Sequence, residues 1–116
     1  MSVFDQRGQQ VQYQYNAAGN INFRAAQNPI EVVAELRKLQ GEFAKAVEAG
    51  VFDEETATDV KYQIDKAVQK ADKPDPEKKS VLEHLEGAKA LIAGVAGAAG
   101  LITALVEAAD KVRQLF

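Results

Sequence analysis

The sequence predicts a mainly α protein: a three- or four-helix bundle preceded by a short N-terminal β-meander. Three observations carry this. From residue 29 onward, apolar residues recur at spacings of three and four, the period of one helix face. Before residue 24 they alternate with Gln and Asn at a spacing of two, the period of a strand. Capping residues, glycine and proline punctuate the helical part. A chain of 116 residues suits one domain and can bury roughly two thirds of its unfolded surface. The sequence divides it into a Gln/Asn-rich segment, 1–28, and a helical domain, 29–116.

The N-terminal segment centres on Gln9-Gln10-Val11-Gln12-Tyr13-Gln14-Tyr15. Val11, Tyr13 and Tyr15 share one face of a strand, and Gln10, Gln12 and Gln14 the other. Asn20-Ile21-Asn22-Phe23 alternates in the same way. Phe4-Asp5-Gln6-Arg7-Gly8-Gln9 and Tyr15-Asn16-Ala17-Ala18-Gly19-Asn20 share a pattern of aromatic, Asp or Asn, two variable residues, Gly and amide. Asp or Asn opening a turn and Gly closing it is type I turn chemistry. The expected strands are therefore 2–5, 9–15 and 20–24.

Helix 1 starts with Asn28 as N-cap, Pro29 in the first turn and Glu31 completing a box-like arrangement. Its stripe is Val32, Leu36, Leu39, Phe43 and Ala46, and Gly50 is placed to end it. Gly41 lies inside this helix. Helix 2 starts at Asp53, with Glu54 and Glu55 complementing the dipole. Its stripe of Ala57, Val60, Ile64, Ala67 and Ala71 is thin, so a neighbour can approach closely. Asp72-Lys73-Pro74-Asp75-Pro76 is a linker, with Asp75-Pro76 expected to restart the helix.

Residues 76–116 carry two stripes: Val81, Leu85, Ala88, Ile92 and Val95, then Leu101, Leu105, Ala108, Val112 and Leu115. Gly94, Gly97 and Gly100 lie between them. A helical hairpin turning near Gly97–Gly100 competes with one long bent helix. Ala96-Gly97-Ala98-Ala99-Gly100 lacks loop polarity, which favours the long helix. Two halves that match helices 1 and 2 in length favour the hairpin, and the reading leans that way.

Catalytic chemistry is not legible. His84 is the only histidine and has no second nitrogen or carboxylate at ligand spacing. Ser2, Ser80, Thr56, Thr58 and Thr103 sit in no nucleophile elbow. The pairs Glu31/Glu35 and Glu55/Asp59 read as solvated helix faces rather than metal ligands. The three glycines lack the Lys, the Ser/Thr and the preceding strand of a phosphate loop. No enzyme activity, cofactor or metal is expected. The lysines around the linker, Lys66, Lys70, Lys73, Lys78 and Lys79, alternate with Asp72, Asp75 and Glu77 as a solvated linker does.

The net charge of −3 argues against nucleic acid as an obligate partner. With no Cys and no basic-then-apolar leader at the start, a cytoplasmic chain is expected. Two surfaces read as adhesive. Residues 1–28 contain no Lys, Glu or Pro, the residues that blunt exposed strand edges. Stacked amide ladders add to pairing between such strands. Val11, Tyr13, Tyr15, Ile21 and Phe23 are the expected assembly residues, with packing of the same face onto the helices as the competing reading. The second surface is the run 90–106, in which only Thr103 is polar. Ile92, Val95, Gly97, Gly100, Leu101 and Leu105 mark it as a helix-packing surface, with membrane insertion the less favoured reading. As one helix it would span about 25 Å, just under a bilayer core.

Val3-Phe4-Asp5-Gln6-Arg7-Gly8, the segment Tyr15 to Phe23, and the tail Lys111-Val112-Arg113-Gln114-Leu115-Phe116 carry a resemblance. The chain resembles small helical accessory or effector-associated segments of bacterial NLR-like (STAND-type) conflict and signalling systems. That resemblance implies an adaptor or effector whose N-terminal strip nucleates homotypic assembly. It also places the nucleotide-dependent step in a partner ATPase, since this chain has no ATPase motif. The expected function is a non-catalytic, homo-oligomeric interaction module. The rivals are a membrane-active effector inserting 90–106 and a structural filament subunit.

Overall fold

The structure is a computed structural model that describes residues 21–116. Four helices follow a short 3-10 turn at Phe23–Ala25: α1 (Pro29–Glu48), α2 (Glu54–Ala71), α3 (Lys78–Ile92) and α4 (Ala99–Leu115). Short connections make consecutive helices antiparallel neighbours. Each packs on the next, and α4 returns to α1, so the four close around one core. The hairpin reading of 76–116 is the correct one. The expected strands 2–5 and 9–15 lie outside the described residues.

The ends of α1 follow from its sequence. Asn28 Oδ1 accepts from the Glu31 backbone N–H at 2.9 Å, and Glu31 Oε1 accepts from the Gln27 N–H at 2.7 Å. Two orphan donors are thereby satisfied reciprocally across the helix start. At the other end the Gly50 N–H reaches the Val47 carbonyl (3.0 Å) and the Val51 N–H reaches the Ala46 carbonyl (3.1 Å). Gly50 has φ +81, so this is a full Schellman stop with glycine where a side chain would be strained. Asp53 then caps α2, accepting from the Thr56 N–H at 2.7 Å.

The start of α3 departs from expectation. Asp75-Pro76 does not open it; the helix begins at Lys78 after Glu77, without a side-chain cap. The Glu77 carboxylate is instead held by Lys73 and Lys70, and those cations keep its pKa below the ordinary carboxylate value. Arg37 pairs with Asp72 across the same linker. Of the linker lysines, Lys70 and Lys73 are thus engaged in local ion pairs, and Lys78 Nζ donates to the Arg113 carbonyl at 2.9 Å.

The predicted stripes supply the core except at Ala57, Val95 and Leu115, which are half-buried, with Val95 in the turn after α3. Val32, Leu36, Leu39, Phe43 and Ala46 are buried on α1; Val60, Ile64, Ala67 and Ala71 on α2; Val81, Leu85, Ala88 and Ile92 on α3; Leu101, Leu105, Ala108 and Val112 on α4. Full burial of one such Leu or Val is worth about 1.5–3 kcal/mol. The alanines let α2 and α3 approach closely. A Cβ on Gly87 of α3 would lie 3.1–3.2 Å from the Gln63 carboxamide of α2.

The third expected strand, 20–24, is corrected where it is described. Residues 23–25 form a 3-10 turn, with the Ala26 N–H bonded to the Phe23 carbonyl at 3.1 Å. Phe23 is fully buried, and Ile21 and Ala26 are buried beside it. The spacing of two between Ile21 and Phe23 therefore reflects two anchors entering one core, not a strand face. Ile21, Phe23 and Ala26 lie ahead of residue 28 and belong to the core cluster of the helices.

Candidate functional site

The residues singled out from the sequence fall into three groups. Val11, Tyr13 and Tyr15 lie outside the described residues. Ile21 and Phe23 are buried core side chains. Their segment is fixed on both sides: the Asn22 N–H donates to Glu35 Oε1 of α1 at 2.7 Å, and Arg24 pairs with Glu107 of α4 at 3.3 Å.

The run 90–106 is not one surface. A turn at residues 93–98 divides it between two helices, with Gly97 at φ +88. Ile92, Leu101 and Leu105 are buried in the bundle core, Val95 and Gly100 are half-buried, and Gly97 is exposed. Among the described residues no helix is long and apolar enough to cross a membrane.

Of the two acidic pairs, Glu31/Glu35 is occupied. Glu31 and Glu35 each accept a backbone N–H from the entry segment. Among the described residues there is no group of three or more His, Asp or Glu placed to hold a metal ion. His84 is half-buried, with Nδ1 at 2.7 Å from Gln63 Oε1 and its ring edge-on to Tyr62 at 6.3 Å. It belongs to the α2–α3 contact.

A different feature stands out as a site. Between the C-terminal half of α1 and the N-terminal half of α2 lies an open groove of about 830 Å³. Half-buried Val47 and Ala57 line it above the buried core residues Phe43, Phe52 and Ile64, with the Phe43 and Phe52 rings 5.1 Å apart and tilted by 42°. Gly41 and Ala44 form the α1 wall, and nothing lies within 4 Å of where a Gly41 Cβ would be. Small side chains on α1 and Ala57 on α2 leave the space between the helices unfilled.

The rim is polar and uneven. At one end Asp65 accepts from Gln40 Nε2 (2.9 Å) and from Lys61 Nζ (2.7 Å). At the other, the side-chain carboxylates of Glu48 and Glu54 have no partner among the described residues. A cleft of this size, apolar with a few polar groups at its edge, is the general form of a binding site. It can desolvate an apolar side chain and offer carboxylate oxygens to N–H donors. The sequence contained its signals, Gly41 and Ala44 on the outer face and the thin stripe of helix 2. The thin stripe reads as close packing, because periodicity does not say which neighbour fills the space beside it.

No protein-family model, curated protein or solved structure matches the chain. The described residues form a four-helix bundle with an apolar groove between the C-terminal half of α1 and the N-terminal half of α2.

Proposed function

We propose that the chain is a non-catalytic, self-assembling interaction module that oligomerises through its N-terminal segment. The observation that carries this is the alternation of Gln10, Gln12 and Gln14 with Val11, Tyr13 and Tyr15, in a stretch whose only charged side chains before residue 21 are Asp5 and Arg7. Such a segment pairs readily with other chains. With Ile21 and Phe23 committed to the core, assembly rests on residues ahead of 21. The resemblance to accessory segments of NLR-like systems supports an adaptor or effector role in the cytoplasm, with a signalling ATPase as the partner.

The test is the mass of the full chain by light scattering, compared with a Tyr13→Asp/Tyr15→Asp variant. Wild type should run as an oligomer and the variant at the single-chain mass of 12.6 kDa. An unchanged mass would remove the N-terminal segment from assembly. Both tyrosines lie ahead of the described core, so the variant leaves Ile21 and Phe23 in place.

A further inference from the structure

Residues 21–26 form a strap seated between the first helix and the last. Ile21, Phe23 and Ala26 are buried there. The Asn22 N–H is bonded to Glu35 of α1, and Arg24 is paired with Glu107 of α4. The strap also carries bonds of its own: the Ala25 N–H reaches the Asn22 carbonyl at 3.3 Å and the Ala26 N–H the Phe23 carbonyl at 3.1 Å. A plug that is already shaped loses little freedom on docking.

Only Gln27 and Asn28, both exposed, join the strap to α1. Their bonds to Glu31 belong to the helix start and hold wherever the strap goes. Ala26 and Asn28 are extended, at ψ 131 and ψ 168, and Pro29 favours that conformation in the residue before it. The strap nevertheless folds back along α1, since it meets Glu35 inside the helix it precedes. Straightened, residues 21–28 reach about 26 Å from the helix start. Beside this hinge Ile30 is 82% exposed, the most of any large apolar side chain among the described residues.

Plug and seat are the same in every copy, so a reciprocal exchange of straps between two copies restores each of these contacts. It also brings two α1 starts together, which gives Ile30 an apolar neighbour. In an isolated chain the short hinge holds the plug at its own seat. Copies gathered by residues ahead of 21 have neighbouring seats at comparable concentration. Resting on the proposed self-assembly, we infer that in the assembled state the α1–α4 seat of one copy takes the strap, residues 21–26, of a second copy. Exchange makes the assembly slow to reverse, because Phe23 must leave a core before two copies part.

Cross-linking of full chains tests this, since the sequence has no Cys of its own. One chain carries Arg24→Cys on the strap and a second carries Glu107→Cys at the seat. The two are mixed in urea, refolded together and treated with a short bis-maleimide. A link between the two different chains forms when the strap of one lies in the seat of the other. Its yield should exceed that of a control mixture of Arg24→Cys and Glu83→Cys, a site exposed on α3, by roughly tenfold or more. Lys111→Cys, which lines the same hollow as Arg24 and Glu107, replaces Glu107→Cys should circular dichroism show that variant misfolded. With Tyr13→Asp/Tyr15→Asp added to both chains, the link should fall to the control level, because dispersed copies fill their own seats. If light scattering shows the oligomer but the link stays at the control level, straps remain in their own chains. The inference then fails while self-assembly stands. If the tyrosine variant keeps the wild-type mass, the assembly reading fails and the inference that rests on it falls too.

Discussion

The two helical hairpins of this bundle end their helices by different means. In α1–α2 the turn is written in side chains and glycine together. A reciprocal cap starts α1, a Schellman motif with Gly50 stops it, and Asp53 restarts the chain as α2. In α3–α4 neither helix has a side-chain cap at its start. The turn is held by backbone bonds, Val95 N–H to Ile92 O at 3.0 Å and Ala98 N–H to Val95 O at 3.2 Å, around Gly97 at φ +88. Ala98 is then buried as α4 begins. One hairpin is encoded locally, the other by a single permissive residue and the core it returns to. Polar caps can be read from a sequence, whereas an apolar turn takes its meaning from what it packs against.

The largest expected effect tests whether the hairpins share one core despite this difference. Phe23 reaches that core from the segment bonded to both α1 and α4. Phe23→Ala should cost about 3–5 kcal/mol, read from urea denaturation, and the loss should appear in a single cooperative transition. Two separated transitions would show that each hairpin folds on its own. A loss well under this range would mean the cavity collapses around the missing ring.

A smaller effect addresses the turns themselves. Gly50→Ala and Gly97→Ala each force an L residue into left-handed backbone, at about 1–2 kcal/mol. There is room for the new methyl group in both cases; at Gly97 it would meet Val51 Cγ1 at an ordinary 3.7 Å. The Gly97 variant should lose more stability, because its turn has no Asp53 to stop a continuous helix. Equal losses would erase the distinction between the hairpins.

The smallest effect separates the two caps of the first hairpin by pH. The Asp53 carboxylate accepts the Thr56 N–H, which lowers its pKa below the ordinary value. Its contribution is therefore present above the unfolded-state pKa and is lost as the pH falls through the depressed folded value. Asn28 caps α1 with an amide that does not titrate. Hydrogen exchange should show the Thr56 N–H, held by the Asp53 carboxylate, losing protection in acid more than the Glu31 N–H, held by the Asn28 amide. In Asp53→Asn that acid sensitivity should disappear; its persistence would assign it to another carboxylate.

How much was legible varies along the chain. The stripes of all four helices were, because a repeat of three and four admits one buried face whatever the neighbours are. Residues 20–24 were misread for the converse reason. Two apolar residues two apart fit a strand face, but they also fit an irregular segment that sinks both into a core. The α3 start was misread because Asp75-Pro76 has cap chemistry, yet the helix begins two residues later, after Glu77 and its lysine partners. The groove was missed altogether. Gly41, Ala44 and Ala57 are small residues that signal close packing when helices converge and open space when they diverge.

The sequence by itself determined the helix periods, the caps at Asn28 and Asp53, the stop at Gly50 and the alternation of residues 9–15. These follow from interactions within a few residues of chain. Only the tertiary structure decided that 76–116 folds back as a hairpin, that Ile21 and Phe23 belong to the core, and that α1 and α2 part to leave an apolar groove. Those outcomes depend on the angle and separation at which finished helices meet, and side-chain volumes summed across several helices set that geometry.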